Sequence, residues 1–187
     1  KKKLVSYHKF NEKKELHKAI QYLNEGKILS LISDAGTPVL SDPGNLLINK
    51  CIEENIQIFP IPGPSAITAA TSISGFEDKF LFYGFLPKTE KDSEKKLSSL
   101  KEIDFTIVFF ISGIKINFYL KSFKKFFSGR HILIAREISK IHETFYRESI
   151  DNIKFFTSSL KGELTVLVSK KISKSDSLDI SYIKKQA

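Results

Sequence analysis

The chain has 187 residues, of which 41% are hydrophobic, and its formal net charge at pH 7 is +9. This apolar content suffices for one large core or two small ones, but no apolar run approaches the roughly 20 residues that a membrane-spanning helix needs. A single cysteine, Cys51, excludes an intramolecular disulfide, so a cytoplasmic protein without membrane association is expected.

The first half of the chain alternates strand-like and helical patterns. An apolar run predicts a buried strand at residues 27–33, and a helical pattern follows at about 45–54. A second strand is predicted at 56–61 and a second helix at about 64–74. Strands that alternate with helices at this spacing predict βαβ units and therefore a parallel sheet.

Each of these predicted strands leads into a loop rich in Gly and Pro. The first loop, residues 33–44, contains two Gly, two Pro and two Asp, and the second covers residues 60–66. Gly lets backbone approach a ligand closely and Pro fixes φ, while Asp42 is predicted to cap the following helix. Both loops leave the carboxyl ends of parallel strands, so they are expected to line one ligand-binding crevice. The alternative is that Gly and Pro only turn the chain.

The second half has a different pattern, which predicts a mixed sheet of five strands at 80–85, 105–111, 131–136, 143–147 and 164–169. Helices are expected at about 90–102 and 114–127, with a short helix near 149–156. The apolar stripe of the second of these helices has the helical spacing of core residues, which favours packing over base stacking. That stripe consists of Ile116, Tyr119, Leu120, Phe123 and Phe127.

The positive charge favours an RNA partner, because a basic surface attracts phosphates whatever their sequence. Basic residues of the second half form a candidate patch: Lys88, Lys91, Lys95, Lys96, Lys101, Lys121, Lys124, Lys125 and Arg130. A solvated helix face, in a lysine-rich composition typical of an AT-rich genome, explains the same residues equally well.

Several motifs occur in an order that is similar to one known family. They are Ser33–Gly44, Pro62–Ala66, Gly84–Pro87, Ala135–Lys140 with Glu143, and Lys161–Glu163. Over about residues 4–170, they resemble the bacterial ribosomal RNA small subunit methyltransferase I family of the tetrapyrrole-methylase superfamily. The resemblance implies a cytoplasmic homodimer that uses S-adenosylmethionine to methylate the 2′-hydroxyl of a cytidine in 16S ribosomal RNA of the small ribosomal subunit.

The resemblance also implies a two-lobed α/β fold with the cofactor in the cleft between the lobes. Residues 1–79 are expected to be the remainder of a parallel-sheet first lobe, and residues 80–170 a mixed-sheet α+β second lobe, followed by a polar tail at 171–187. The family's opening strand and its Thr-Pro-Ile-Gly-Asn-Leu type of loop do not occur in the chain. The first lobe is therefore expected to be incomplete, as in a protein that lacks its amino-terminal segment.

A second departure from the family lies at residues 109–116. Ile111 stands in for an acid, Ile114 for a histidine and Lys115 for an arginine. A catalytic role that needs that acid or that imidazole is therefore not assigned to this chain.

The needs of S-adenosylmethionine match the two loops. Its carboxylate binds backbone amides, its amine and ribose bind acceptors, and its adenine fits an apolar slot. The loop residues predicted to supply these contacts are Ser33, Asp34, Ala35, Gly36, Thr37, Pro62, Gly63, Ser65 and Ala66. The resemblance adds Phe85, Leu86 and Glu163, which would close over the cofactor. The four histidines are scattered and methyl transfer requires no metal, so no metal site is predicted.

Catalysis is assigned to a polar group that follows the strand at 131–136, namely Arg136, Glu137, Lys140 and Glu143. A ribose hydroxyl is a poor nucleophile, so a base or a hydrogen-bond acceptor should assist it, and a Lys140 with a lowered pKa is the predicted base. An ion pair of Arg136 with a neighbouring carboxylate that only holds the fold is the alternative. Two other functions stay open: methylation of a tetrapyrrole or other small molecule, and a truncated, non-catalytic relative.

Overall fold

The computed structural model describes residues 3–171, and the chain divides into two compact units, residues 1–65 and 66–187. The lobe boundary between residues 79 and 80 stays a prediction. The predicted polar tail lies outside the described residues, apart from Lys171.

Residues 3–65 of the first unit form two helices, α1 (Glu12–Asn24) and α2 (Asn45–Glu53). They pack around a small core of Ile20, Leu47 and Cys51. The helix predicted at 45–54 is therefore confirmed, and Cys51 is buried in this core.

The strands predicted at 27–33 and 56–61 are wrong, because neither segment forms a strand. Side chains that a buried strand would cover are exposed, with Ile28 94% and Ile61 86% accessible. A strand requires a neighbour that pairs with its backbone N–H and C=O groups. None of residues 3–65 takes part in a sheet, so the parallel sheet predicted for this part of the chain is not formed within it.

Helix α2 also begins differently from the prediction. Its N-cap is Gly44, with no side-chain cap, so the predicted cap by Asp42 is wrong. Instead, Glu12 at the start of α1 accepts a hydrogen bond from the Gly44 N–H through Oε1, at 2.9 Å. Residue 44 must be glycine here, since its φ is +133° and a Cβ would lie 2.7 Å from the Leu31 side chain.

The second unit is built on a five-stranded mixed sheet. Its strands are β1 (Phe80–Phe85), β2 (Thr106–Ser112), β3 (His131–Arg136), β4 (Thr144–Ser149) and β5 (Glu163–Val168), in the spatial order β1-β2-β5-β3-β4. The β1–β2 pair is parallel, whereas β5 is antiparallel to both β2 and β3, and β4 is antiparallel to β3. All five strands predicted for the second half are confirmed within one or two residues at their ends.

Helices cover both faces of this sheet. α3 (Ala66–Ser72) packs on one face, through Ile67 and Ala70. α4 (Glu90–Leu100) and α5 (Ile116–Phe126) pack on the other. The predicted apolar stripe of α5 is confirmed as core, because all five of its residues are buried. No helix within residues 3–171 is long and apolar enough to cross a membrane.

The short helix predicted near 149–156 is wrong, since this segment makes a single turn and then runs irregularly. The Asn117 side chain of α5 accepts a hydrogen bond from the Phe156 N–H at 2.9 Å and donates to the Phe156 carbonyl at 2.8 Å. Ile150 and Ile153 are buried in the core. These contacts with the rest of the unit override the local helical preference.

Candidate functional site

The carboxyl ends of three strands meet at one edge of the sheet. β3 runs parallel to β1 and β2, because β5 is antiparallel to both β2 and β3. This edge therefore carries Phe85, Ser112 and Arg136 at strand ends, together with Glu163 at the start of β5. The second-half residues that the sequence assigned to a site thus lie along one edge.

Glu137 forms the centre of a hydrogen-bonded cluster at this edge. Its Oε1 accepts from the Lys140 Nζ at 3.0 Å and from the Glu163 N–H at 2.9 Å. The Lys140 Nζ also lies 3.2 Å from Glu163 Oε2, and the Glu137 N–H donates to the Glu163 carbonyl at 3.0 Å. The Glu137 side chain is only 16% exposed, whereas that of Lys140 is 46% exposed. The cluster therefore ties the turn after β3 to the start of β5 and leaves one cation accessible.

These contacts set the charges of the cluster. The hydrogen bond from the Glu163 N–H, and then the one from Lys140, lower the pKa of the Glu137 carboxyl. Hydrogen bonds to Glu137 and Glu163 raise the pKa of the Lys140 ammonium. A raised pKa keeps Lys140 protonated at neutral pH, so the prediction of a lowered pKa that would make it a base is wrong.

The turn after β3 has an unusual backbone. Glu137 and Ser139 have φ values of +49° and +61°, in the left-handed region that non-glycine residues rarely adopt. Glu143 stabilises the turn, because its Oε2 accepts from the Ser139 N–H at 2.6 Å. Arg136 donates from Nε to the Lys161 carbonyl at 2.9 Å rather than pairing with Glu137 or Glu143. Strain of this kind is typical of functional turns that their surroundings hold in place.

Two glycines let the loop before β5 approach the cluster, and the sequence analysis did not assign either of them to the site. Gly162 has a φ of +97°, and a Cβ there would lie 2.5 Å from Cδ of Glu137. A Cβ at Gly113 would lie 2.5 Å from the Leu160 carbonyl oxygen, and its N–H donates to the Gly162 carbonyl at 2.9 Å. The sequence feature that could have identified both residues is a glycine directly next to the end of an apolar strand.

An apolar surface adjoins this polar cluster. Phe85 is 60% exposed at the end of β1, and its ring centroid lies 5.6 Å from that of Phe110. Leu86 is buried, and the Tyr119 hydroxyl donates to the Pro87 carbonyl at 3.0 Å. The segment after β1 is therefore fixed by α5, with one aromatic ring presented at the edge.

The departures from the family pattern lie beside the same edge. Ile111 is buried in the core, whereas Ile114 is 65% exposed in the short 3₁₀ helix Gly113–Lys115. Neither apolar side chain can replace an acid or an imidazole as a proton carrier.

The first loop, in the first unit, offers free backbone donors. Ser33 closes the turn, because its Oγ donates to the carbonyls of Ala35 and Gly36 at 3.2 and 3.1 Å. Within residues 3–171, the N–H groups of Ala35, Gly36 and Thr37 donate to no protein acceptor, and these residues are exposed together with Asp34. Exposed, unpaired N–H groups of consecutive residues suit a ligand carboxylate.

The second loop is also open. A Cβ at Gly63 would meet no atom within 4 Å, and Pro62 is exposed. Ser65 is half-buried, and Ala66 begins α3. That the two loops and the sheet edge hold one cofactor stays a prediction.

Comparisons with known proteins identify the family. The family model for Tetrapyrrole (Corrin/Porphyrin) Methylases matches residues 2–154. The chain is 40% identical over 174 residues to a ribosomal RNA small subunit methyltransferase I from Thermotoga maritima, covering 91% of this chain and 78% of that protein. It is 39% identical over 175 residues to the protein of the same name from Mesomycoplasma conjunctivae, covering 93% and 73%.

The chain belongs to the ribosomal RNA small subunit methyltransferase I family. Solved structures with a similar fold include the methyltransferase CobJ, with a TM-score of 0.63 and 20% identity over 83% of this chain and 70% of that one. Uroporphyrin-III C-methyl transferase from Thermus thermophilus, complexed with S-adenosyl homocysteine, has a TM-score of 0.52 and 12% identity over 82% and 72%. The predicted α/β fold of the tetrapyrrole methylases is thus confirmed, and as a member of the ribosomal RNA small subunit methyltransferase I family the chain is a methyltransferase.

Proposed function

We propose that this chain transfers a methyl group from S-adenosylmethionine to the 2′-hydroxyl of a cytidine in 16S ribosomal RNA of the small ribosomal subunit. The observation that carries the proposal is the 40% identity to the Thermotoga maritima protein over 91% of the chain. The S-adenosyl homocysteine bound to the Thermus thermophilus enzyme supports the donor, since this compound is the donor after loss of its methyl group.

The loop residues fit the donor. The N–H groups of Ala35, Gly36 and Thr37 would bind its carboxylate, while Ser33 holds their turn closed and Asp34 would accept from its ribose or amine. The remaining contacts would come from Pro62, Gly63, Ser65, Ala66, Phe85, Leu86 and Glu163, of which the exposed Phe85 ring would offer the adenine an apolar surface. When bound, the donor supplies a methyl group on a positively charged sulfur.

The polar cluster would contribute to the reaction by positioning the acceptor nucleotide. Methyl transfer is an in-line displacement, in which holding the acceptor oxygen close to the methyl carbon supplies much of the rate. Lys140 stays 46% exposed although it pairs with Glu137 and Glu163, so its third N–H would donate to an oxygen of the target nucleotide. Arg136, Glu137 and Glu143 would position Lys140 by fixing the turn, and the hydrogen bonds that raise the pKa of Lys140 favour a protonated donor at this position.

Incubation of the full-length protein with methyl-labelled S-adenosylmethionine and unmodified small ribosomal subunits tests the proposed function. Nuclease digestion is expected to recover the label in 2′-O-methylcytidine. Label in free uroporphyrinogen, with none in RNA, would show that the chain is a tetrapyrrole methylase and would overturn the proposal. Donor binding in calorimetry without transfer to either acceptor would identify a non-catalytic relative.

The family resemblance also implies that the protein works as a cytoplasmic homodimer. Sedimentation of the full-length protein at micromolar concentration is expected to give twice the mass of the chain. If sedimentation gives the mass of one chain and the protein is fully active, the proposed dimer is wrong.

Lys140 gives a direct test of the polar cluster. Lys140→Ala is expected to slow methyl transfer at least about tenfold, because the accessible cation is lost, while donor binding in calorimetry stays unchanged. Lys140→Arg should retain most of the rate, since it keeps the charge. Lys154→Ala, which removes an exposed lysine elsewhere, should have no effect. Unchanged turnover in Lys140→Ala would exclude Lys140 from the site.

A further inference from the structure

The lysines of helices α4 and α5 are not equivalent. On α5, the Lys121 Nζ lies 2.9 Å from Glu90 Oε1 of α4, and the Lys125 Nζ lies 2.8 Å from Glu94 Oε2. These two ion pairs link the helices and use both glutamates of α4. Lys121 and Lys125 are therefore compensated and add little to an anion-binding field.

Four more members of the predicted basic patch are also engaged, of which Lys101 pairs with Glu102, with 3.8 Å between Nζ and Oε1. Lys124 donates to the carbonyls of Ile150 and Asp151, at 3.0 and 2.9 Å. Arg130 is only 2% exposed, so it cannot reach a partner in solution. Lys96 lies over the Tyr83 ring, 5.5 Å from its centroid. The nine-residue patch predicted from the sequence is therefore wrong as a single surface.

What remains is a lysine strip, which we define as Lys88, Lys91 and Lys95. All three side chains are exposed, and none makes an ion pair or hydrogen bond within residues 3–171. Lys91 and Lys95 are one helical turn apart, about 6 Å along the axis, on the face of α4 that points away from the buried Leu97. Three positive charges without an ion pair thus follow one another along a single surface, and the nearby Asp92 carboxylate accepts from the Thr89 hydroxyl at 2.7 Å.

The lysine strip begins at the edge of the sheet that carries the candidate site. Lys88 comes directly after Pro87, whose carbonyl is fixed by the Tyr119 hydroxyl at the end of β1. Glu137 and Lys140 lie at the same edge, after β3. An anionic chain whose reacting group lies at this edge can continue along the strip without leaving the surface of the second unit.

We infer that the lysine strip binds the phosphate backbone of the substrate RNA next to the nucleotide that is methylated. This inference rests on the proposed function, and adds the surface that holds the RNA. Lysine ammonium groups bind phosphates as point charges, and each contact releases counterions, so binding weakens as the salt concentration rises. Contacts of this kind fix the position of the RNA without reading its sequence.

The test compares two triple variants of the full-length protein that lose the same charge. Lys88→Gln, Lys91→Gln and Lys95→Gln together remove the strip. Lys13→Gln, Lys14→Gln and Lys18→Gln remove three exposed lysines of α1 in the first unit. The probe is transcribed 16S ribosomal RNA, with affinity measured between 50 and 200 mM salt. Calorimetry with S-adenosylmethionine checks that both variants keep their donor site.

The strip variant is expected to bind RNA about tenfold more weakly at 0.1 M salt, with the slope of log affinity against log salt reduced by about 2, as three lost phosphate contacts predict. The α1 variant should stay close to the unaltered protein. An equal loss of RNA affinity in both variants would show that binding depends only on the net charge of the protein, and would overturn the inference. If the unaltered protein methylates RNA and the strip variant still binds RNA with full affinity, the inference is overturned and the proposed function stands. Failure of the unaltered protein to bind or methylate RNA would overturn both.

Discussion

Gly162→Ala is expected to slow methyl transfer by up to about a hundredfold, because displacement of a positioning group by about 1 Å has effects of that size. The new Cβ would lie 2.5 Å from both Cδ and Oε1 of Glu137, far inside van der Waals contact. Glu137 would have to move, and its hydrogen bonds to Lys140 and to the Glu163 N–H would break. Steady-state assays with S-adenosylmethionine and small ribosomal subunits measure the effect.

Gly129→Ala is the matched control for this substitution. Gly129 also has a positive φ, +79°, but a Cβ there would meet no atom within 4 Å. Both variants therefore carry the left-handed backbone penalty of about 1 kcal/mol, whereas only Gly162→Ala displaces Glu137. Normal turnover by Gly162→Ala would show that the observed position of Glu137 is not needed for the reaction.

Strands β2, β3 and β5 could be predicted because their apolar runs are short, bounded and buried in place. The segment predicted at 105–111 is such a run, and the structure has β2 at Thr106–Ser112. The apolar run at 28–32, interrupted by Ser30, is unpaired in the structure. A local pattern predicts which residues can form a strand, but pairing depends on a partner elsewhere in the chain.

The candidate site was predictable as a set of residues but not as a geometry. Motif order identified Glu137, Lys140 and Glu163, which the structure brings into one cluster. The raised pKa of Lys140 depends first on Glu137, three residues away, and then on Glu163, 23 residues away in sequence, so a local pattern could reveal only the first of these contacts. The same holds for the lysine strip, which becomes distinct only because α5 supplies the cations that pair with the glutamates of α4.

Arg130→Ala is expected to destabilise the second unit by about 3 kcal/mol, since it leaves two carbonyls without donors and opens a cavity in the core. The guanidinium is 2% exposed and donates to the carbonyls of Ser169 and Lys101, at 3.2 and 2.5 Å. It also lies over the Phe127 ring, 5.1 Å from its centroid. Burial lowers the pKa of this guanidinium, an unfavourable contribution that these contacts offset.

Arg147→Ala is the control, because the Arg147 guanidinium likewise donates to a carbonyl, that of Ile73 at 2.8 Å, but from an exposed position. Its loss should cost less than about 1 kcal/mol, as is usual for exposed polar contacts. Amide hydrogen exchange in β3 and β5, followed by mass spectrometry, reports the stability of the second unit separately from the first. Equal exchange rates in the two variants would mean that the buried guanidinium does not hold the segments after α4 and β5 together. Faster exchange in Arg130→Ala alone would show that this buried cation stabilises the sheet, from the edge opposite the candidate site.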